Sequence, residues 1–532
     1  MKLSGNKKGK KENQKMEEST VEDLVSALSL RKDGLMENAD VIETYPLMPP
    51  FSFAVILEEK DTKKPVYIVD EIPLTKTERE KYFEIKRILE TDLEAPREKE
   101  TPLNSFRRQF PFIRKKHPKT MRNLETVEEK LITYYLERDI AGLGIIDPLF
   151  YDPYAEDISC SGVAKPIYLW HRKYENIRTN VIFNDEDELD NFIVRLAHKA
   201  GKHVSIAFPM IDATLPGKHR LAIYYRTEVT PLGTSFTIRK FREDPLTIID
   251  LIQNETLNLE VAAYLWMMVE NKFSSMIIGS TGAGKTTSLN AMAGLIHPQQ
   301  KIISVEEVAE INLPRENWVS TIARSGFGTE DAGQISLFEL IKSAVRHRPD
   351  WIIVGEVRGE EAYVLFQALA TGHGGICTMH AEDPETAVKR LTQPPMNIPS
   401  TIIPLMHCAI SIRHVKAPVL VDYAKATVKR RFTRVSEIES STEIKDIFLW
   451  DNSRSSYRVN VSNSHLLKKI GEGQGVDLAH ILDEYERRKE ILSRLVDSNA
   501  RSYSKVADFL QEFYGDPKAA YNRLVGLEVK NP

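Results

Sequence analysis

The sequence is short of several things, and each shortage excludes a class of protein. Only three cysteines occur in 532 residues, Cys160, Cys377 and Cys408, scattered singly with no C-x-x-C pair. A disulfide framework is thereby excluded, a four-cysteine zinc site is impossible, and a reducing compartment fits. No apolar run reaches the roughly 18 to 20 residues that cross a bilayer. The best of them, IIPLMHCAISI at 402–412, is far shorter and carries a histidine, so a soluble chain with no transmembrane segment of its own is expected. Neither sign of charge predominates: 72 Lys and Arg face 76 Asp and Glu, a formal net charge of −4. Nothing global therefore marks a nucleic-acid binder, and partners have to be read locally. The basic start MKLSGNKKGKKENQK runs into EESTVEDL rather than an apolar stretch, which is not the pattern of a secretory signal.

At 532 residues the chain is past the size at which a single core stops growing, so two or three domains are expected. Residues 1–42 are polar, rich in Lys and Glu, and too poor in apolar groups to offset their ordering entropy, which predicts a disordered head with one helix at most, in VEDLVSALSL. From Tyr45 the pattern changes. FSFAVILEE and KPVYIVDE read as strands, and T-K-T-E from Thr75 approximates a capping box before the helix KYFEIKRIL. The stretch from Ala95 to Lys119 is rich in Pro, Arg and Lys; its RRQFPFIRKKHPK reads as a solvated connector, although it is basic enough to meet anionic lipid or phosphate. The helix ETVEEKLITYYLERDI and the strands PIYLWH, HRLAIYYR and TSFTIRKF complete an α+β domain at 43–243, followed by a linker at 244–250.

Beyond the linker, short apolar strands alternate with helices. SSMIIG, KIISVEE, WIIVGEV and GICTMH are strands; VAAYLWMMVEN, TTSLNAMAGLI, SLFELIKSAVRHR and EEAYVLFQALA are helices. That alternation predicts an α/β domain with a parallel, doubly wound sheet over 251–532. Ser336 and Glu339 form an S-x-x-E start signal, and Leu337, Leu340, Ile341, Ala344 and Val345 make one apolar stripe that reads as core. The last part, about 416–532, reads as an extension: a strand pair, FTRVSEIES and KDIFLWD, then the helices VDLAHILDEYERRKEILSRLV and YSKVADFLQEFYG. No internal repeat is found.

Chemistry concentrates in the stretch GSTGAGKTT: Gly279, Ser280, Thr281, Gly282, Ala283, Gly284, Lys285, Thr286 and Thr287. It matches G-x-x-x-x-G-K-[ST] between a strand and a helix, the context the motif requires. Its glycines turn backbone N–H groups inward on phosphates, and the helix N-terminus adds partial positive charge. Lys285 is placed to reach the β- and γ-phosphates, and the Thr286 hydroxyl to sit on Mg²⁺; ATP and Mg²⁺ are the implied cofactors.

Nucleotide binding alone does no work, so acids and sensors are sought nearby. Glu356 ends the strand WIIVGEV, where a Walker B acid belongs; Gly355 stands where many NTPases carry Asp, so Glu356 would act on Mg²⁺ mainly through water. Glu306 and Glu307 end KIISVEE. Either strand-end glutamate, Glu306 or Glu356, fits a water-orienting base, with Glu306 preferred. GHGGICTMHA brings His373 and His380 to a strand edge; two histidines seven positions apart without a third ligand make a poor metal site, and an imidazole there is better placed to sense phosphate or to link sheet to loop.

These segments together resemble the type II/IV secretion ATPase superfamily, above all its archaeal branch of archaellum and type IV pilus motors. ISVEEVAEI is similar to that family's acidic box, AVRHRPDWIIVGEVRGEEA to its atypical Walker B with flanking arginines, and ATGHGGICTMHA to its histidine box. IDPLFYDPYAEDI, FPMIDATLPGKHRLAI and FTIRKF resemble its N-terminal domain. The resemblance spans about Tyr45 to the C-terminus. It implies a homo-hexameric ring of two-domain subunits in which a RecA-like ATPase domain at 251–532 holds the nucleotide and the N-terminal domain closes over it. It further implies Glu306 as catalytic base, Glu356 in the Walker B role, His380 as sensor, and Arg220 and Arg239 as arginines that reach the phosphates. Arg324, Arg346, Arg348 and Arg358 lie in or near the acidic and Walker B boxes. Two departures stand out: Glu307 replaces the Asp commoner in bacterial relatives, and the bacterial four-cysteine insert is missing, which favours the archaeal branch.

The function implied is a cytoplasmic ATPase motor, peripheral at the inner face of the cell membrane. A polytopic membrane platform protein, with other filament-motor accessory proteins, would pass its work to assembly or rotation of a pilus-like surface filament or to secretion. A DNA-translocating conjugation-type ATPase is the alternative, one to which near-neutral charge gives little support, since no nucleic-acid partner is expected. A nucleotide-gated scaffold is a third reading, against which the set Lys285, Thr286, Glu306 and Glu356 argues. A small-molecule P-loop kinase would need neither the N-terminal domain nor the helical tail.

Overall fold

The structure, a computed structural model, describes residues 39–97, 100–121, 127–241, 244–324, 333–416 and 428–526. The chain divides into two compact units, Met1–Phe241 and Arg242–Pro532. The helix expected in VEDLVSALSL lies outside the described residues.

In the first unit nine strands form one sheet: β1 (Ala39–Met48), β2 (Ser52–Glu59), β3 (Pro65–Glu71), β4 (Ala155–Cys160), β5 (Pro166–His171), β6 (Glu175–Ile182), β7 (Met210–Thr214), β8 (Arg220–Tyr224) and β9 (Ser235–Arg239). Their order is β1-β2-β3-β6-β5-β4-β9-β8-β7, antiparallel except for the β3–β6 pair. The helix Glu186–Lys199, capped by Asp185, packs Leu189, Phe192, Ile193 and Leu196 on the buried face. Thr75 and Glu78 close the expected capping box at the start of the helix Lys76–Asp92.

Two expectations fail here. Residues 39–42, Ala, Asp, Val and Ile, belong to β1 rather than to a disordered head, because strand β2 supplies backbone partners to Ala39, Asp40 and Val41. The stretch read as a connector holds a helix, Pro102–Lys116, whose Phe106, Phe110 and Ile113 recur at helical spacing and pack with Tyr82, Ile85, Leu89, Ile132 and Leu136 in a small core of their own. Four of its basic residues are engaged: Arg107 with Glu137, Arg108 with Glu100, Arg114 with Glu129 and Lys116 with Asp92.

The second unit is built on another nine-stranded sheet: β10 (Ser275–Ile278), β11 (Ile302–Glu306), β12 (Trp318–Ile322), β13 (Trp351–Val354), β14 (Gly374–Met379), β15 (Cys408–Lys416), β16 (Val428–Ile438), β17 (Ile444–Asp451) and β18 (Ser456–Val459). Its order is β12-β11-β13-β14-β10-β15-β16-β17-β18. The first six in that order are parallel, with β10 between β14 and β15; β16 to β18 continue the sheet antiparallel. The expected parallel core is there, and the strand pair read as an extension continues the same sheet antiparallel.

Alternate residues of the parallel strands feed two cores. Ile277, Ile302, Ile353, Ile376 and Ile410 face one side, and Met276, Ile278, Ile303, Val305, Ile352, Val354 and Met379 the other. Helices cover both, which is why β10, β11, β13 and β14 are buried at every position and mostly apolar. The helix Leu259–Glu270 is buried from Val261 to Val269 because a second layer lies over it: the helix Leu478–Asp497 brings Arg488 against Glu270 and over the Trp266 ring at 4.5 Å. The C-terminal helices are thus part of the core. The helix Ile248–Gln253, capped by Thr247, takes in the last residues expected in a linker, since Ile248, Ile249 and Leu251 are buried. The Ser336–Glu339 capping box forms, and Ile341 and Ala344 are buried as the stripe requires. Among the described residues no helix is long and apolar enough to cross a membrane.

Candidate active site

β10, β11, β13 and β14 run parallel, so their C-terminal ends share one sheet edge, the edge at which open α/β sheets bind ligands. The P-loop follows β10, Glu306 ends β11, Glu356 comes just after β13 and His380 just after β14. Residues singled out in four separate motifs therefore meet.

The loop from Gly279 to Gly284 leads into the helix Lys285–Ala293. Gly282 and Gly284 have φ of +74° and +99°, left-handed values that a side chain strains, and they bend the loop back towards the helix start. Gly279 has a different reason to be glycine: a Cβ there would lie 2.4 Å from the Ile412 carbonyl oxygen on β15. Ser280 and Thr281 are exposed at the loop crest, Ala283 is buried under it, and Thr287 is half-buried in the first helical turn. No side chain caps this helix, so its first N–H groups face the loop as a phosphate cradle would require.

Lys285 is buried and donates from Nζ to the carbonyl oxygens of Gly279 (3.2 Å) and Ser280 (3.0 Å), with the His380 ring 3.3 Å away. Burial lowers its pKa, opposed by the carboxylates of Glu356 and Glu310. His380 Nε2 lies 3.1 Å from Glu356 Oε1, and Arg358 Nη2 2.7 Å from Glu356 Oε2. Burial alone would raise the Glu356 pKa; the Arg358 hydrogen bond, with His380 and Lys285 nearby, more than offsets it and holds the carboxyl below its ordinary value. The His380 pKa is lowered by burial and by Lys285, so the ring is biased towards the neutral form. Arg358 also reaches Glu307 at 3.3 Å.

The acidic box divides its labour in a way the sequence did not reveal. Glu306, 2 % exposed, accepts through Oε1 from the backbone N–H groups of Glu310 (2.9 Å) and Ile311 (2.7 Å). It staples the turn after β11. Glu310, a residue the sequence reading passed over, accepts from the Thr286 hydroxyl at 2.9 Å. Its only signal was its place as the third carboxylate of ISVEEVAEI. Gly355 leaves room for the staple: a Cβ there would come 3.2 Å from Glu306 Cγ.

The remaining residues separate. Arg324 lies beyond β12 and donates from Nε to the Gly333 carbonyl. Arg346 and Arg348 precede β13 and His373 precedes β14, at the opposite ends of those strands from the P-loop. His373 Nδ1 lies 3.0 Å from the Ala368 carbonyl, at the end of a helix. Arg220 and Arg239 belong to the first unit, directly opposite each other on β8 and β9. Arg220 pairs with Asp212 (2.7 Å) and Arg239 with Asp157 (3.0 Å), both on the exposed face of that sheet.

A family model described as type II/IV secretion system protein matches residues 142–468. A Methanocaldococcus jannaschii protein described as uncharacterized is 36% identical over 396 residues, which span 73% of this chain and 70% of that one. The type IV secretion system protein PtlH of Bordetella pertussis is 33% identical over 210 residues, 35% of this chain and 60% of that protein. Among solved structures, the ATPase DotB of Legionella pneumophila is similar over 70% of this chain and 92% of its own, at 15% identity and a TM-score of 0.40.

Proposed function

The chain belongs to the type II/IV secretion system protein family, and from that premise we propose that it is a Mg²⁺-dependent ATPase of the archaeal branch, a motor that turns ATP hydrolysis into movement. One observation carries the reading: a glycine cradle with Lys285 and Thr286 shares a sheet edge with Glu306, Glu356 and His380, and with Glu310 hydrogen-bonded to Thr286. Grip, metal site and acid are thus within one chain's reach.

The backbone of Gly279–Thr286 holds the phosphates, and Lys285 exchanges its two loop carbonyls for phosphate oxygens. The Thr286 hydroxyl and the Glu356 carboxylate would hold Mg²⁺, which would offset the charge on the β- and γ-phosphates. Glu310 is near enough to Thr286 to orient the attacking water, and shares the candidacy for base with Glu306. His380, between Lys285 and Glu356, links the state of the phosphate site to the end of β14. Arg220 and Arg239 supply guanidinium donors from the first unit, so that closure depends on occupancy.

Subunits assemble as a homo-hexamer in the cytoplasm, peripheral to the inner face of the membrane. A polytopic platform protein and accessory proteins receive the work and pass it to assembly or rotation of a pilus-like filament or to secretion. The test is Lys285→Ala in the full chain. Turnover is expected to fall by at least about a hundredfold with the fold intact. Undiminished ATPase activity in that variant sinks the proposal.

A further inference from the structure

Work passed along the chain from the second unit reaches the first at Phe241. What holds that residue therefore decides how much displacement arrives. The β8–β9 ladder ends at the pair Arg220 and Arg239, and a strand end without further partners frays. Here side chains continue the pairing. The Phe241 N–H donates to His219 Nδ1 at 2.9 Å, so the imidazole replaces the backbone acceptor the ladder no longer provides. On the other side, Lys240 N–H donates to the Glu156 carbonyl at 2.8 Å, and its half-buried ammonium donates to the Asp152 carbonyl.

Both side chains have fixed surroundings. The His219 ring meets Phe150 edge-on at 4.6 Å, and Gly217, at φ +83°, leaves the turn open for it: a Cβ there would come 2.7 Å from His219 Nε2. Asp152 is fully buried and accepts from Tyr45 (2.8 Å), Tyr67 (2.6 Å) and the Tyr154 N–H (2.6 Å), which ties the Lys240 anchor to β1 and β3. Taking an ammonium partly out of water is unfavourable, and an apolar side chain would fill the space without that penalty. What the lysine adds is a directed bond.

We infer that His219 and Lys240 are positioning residues that clamp Lys240 and Phe241 to the first unit's sheet, so that displacement of the chain beyond Phe241 moves Arg220 and Arg239 instead of fraying β9. The inference rests on the motor reading above. Each clamp residue is the chain neighbour of one of the two arginines, and those arginines are register partners. Loosening either clamp frees both guanidinium groups at once.

The test uses the full chain with His219→Leu, Lys240→Met and His219→Asn, the last of which keeps an acceptor near the Nδ1 position. Steady-state ATPase kinetics and amide hydrogen exchange at Phe241 are measured on each. Leu and Met are expected to lower kcat about tenfold, the worth of one lost hydrogen bond, with KM for ATP changed less than about twofold. Exchange at Phe241 should speed up by at least about tenfold in His219→Leu, and Asn should recover most of both effects. A fast-exchanging Phe241 in the wild type, or unchanged kcat in both Leu and Met variants of an active enzyme, overturns the clamp. Absence of ATPase activity in the wild type overturns the motor reading instead.

Discussion

Glu306 and Glu310 sit four positions apart, and the structure predicts opposite consequences for removing them. Glu306→Ala deletes the acceptor of two buried backbone donors, at 2.9 and 2.7 Å, in a side chain 2 % exposed. A buried donor left unsatisfied costs about 1 to 3 kcal/mol, so the pair is worth about 3 to 5 kcal/mol. At a few degrees per kcal/mol for a unit of this size, the melting transition of the second unit should drop by about 10 °C. Glu306→Gln keeps one acceptor oxygen and should lose less than half of that. Glu310 is half-buried, and its side chain accepts from the Thr286 hydroxyl, a bond Gln retains; Glu310→Gln should therefore change stability by less than about 1 kcal/mol. If Glu310 orients the attacking water, its variant still binds ATP while single-turnover hydrolysis falls by about a hundredfold or more. The assay is differential scanning calorimetry beside single-turnover hydrolysis, for each variant in the full chain. A Glu306→Ala protein of unchanged stability that has lost only turnover would refute the staple and return the base to Glu306. Full hydrolysis in Glu310→Gln would remove Glu310 from the chemistry.

Other perturbations have equally direct readouts. Gly279→Ala must move the Ile412 carbonyl, which a new Cβ would approach to 2.4 Å, and should weaken nucleotide binding and cost about 1 to 3 kcal/mol; Gly282→Ala meets open space and costs only the left-handed backbone, about 1 kcal/mol, so equal effects on binding and melting would contradict the packing. Stability should fall on acidification from about pH 6.5 towards 4. Burial holds both His219 and His407 at a pKa of about 4, well below the ordinary value of 6.5. The unfolded chain then binds more protons than the folded one in that window, and stability rises with pH across it. Each Nδ1 accepts a backbone N–H, from Phe241 and from Ser274, and partial exposure leaves about 2 kcal/mol apiece. Urea unfolding at pH 7 and 4.5 reads it, and equal stabilities would exclude two neutral buried imidazoles.

The second unit's sheet was legible because burial on both faces leaves a simple trace: MII, IISV and WIIV admit only strands between turns. The first unit was read less well. The helix Glu186–Lys199 escaped although its signal was present, with Asp185 as cap and Leu189, Phe192, Ile193 and Leu196 at helical spacing. RRQFPFIRKKHPK was taken for a connector because its charges dominate the composition. Arg107, Arg108, Arg114 and Lys116 pair with carboxylates 8 to 30 positions away, and sequence cannot show such pairs. The strand β12 was missed for a related reason: WVSTI sits at the sheet edge with Val319 and Ile322 exposed, so its alternation is weak.

At the site, the limit was different. A P-loop is local: its residues are neighbours in sequence and its glycines are forced by φ and by the approach of Ile412, so pattern and geometry coincide. The carboxylates are not local. Glu306, Glu307 and Glu310 are chemically identical and nearly adjacent, and only their surroundings distinguish them: two backbone amides for the first, Arg358 for the second, the Thr286 hydroxyl for the third. Two of those partners come from other segments, and the first exists because the turn after β11 curls back on the strand end. Strand-end position, the rule that favoured Glu306, identifies a carboxylate at the right edge of the sheet, but a carboxylate there can either face the substrate or hold the loop that does. What decides is whether its lone pairs are already taken, and for Glu306 backbone donors within 3 Å take one oxygen. A side chain committed in that way holds the turn that positions Glu310 whether or not it also meets the substrate, so the two residues act as one unit in which the first sets the place of the second.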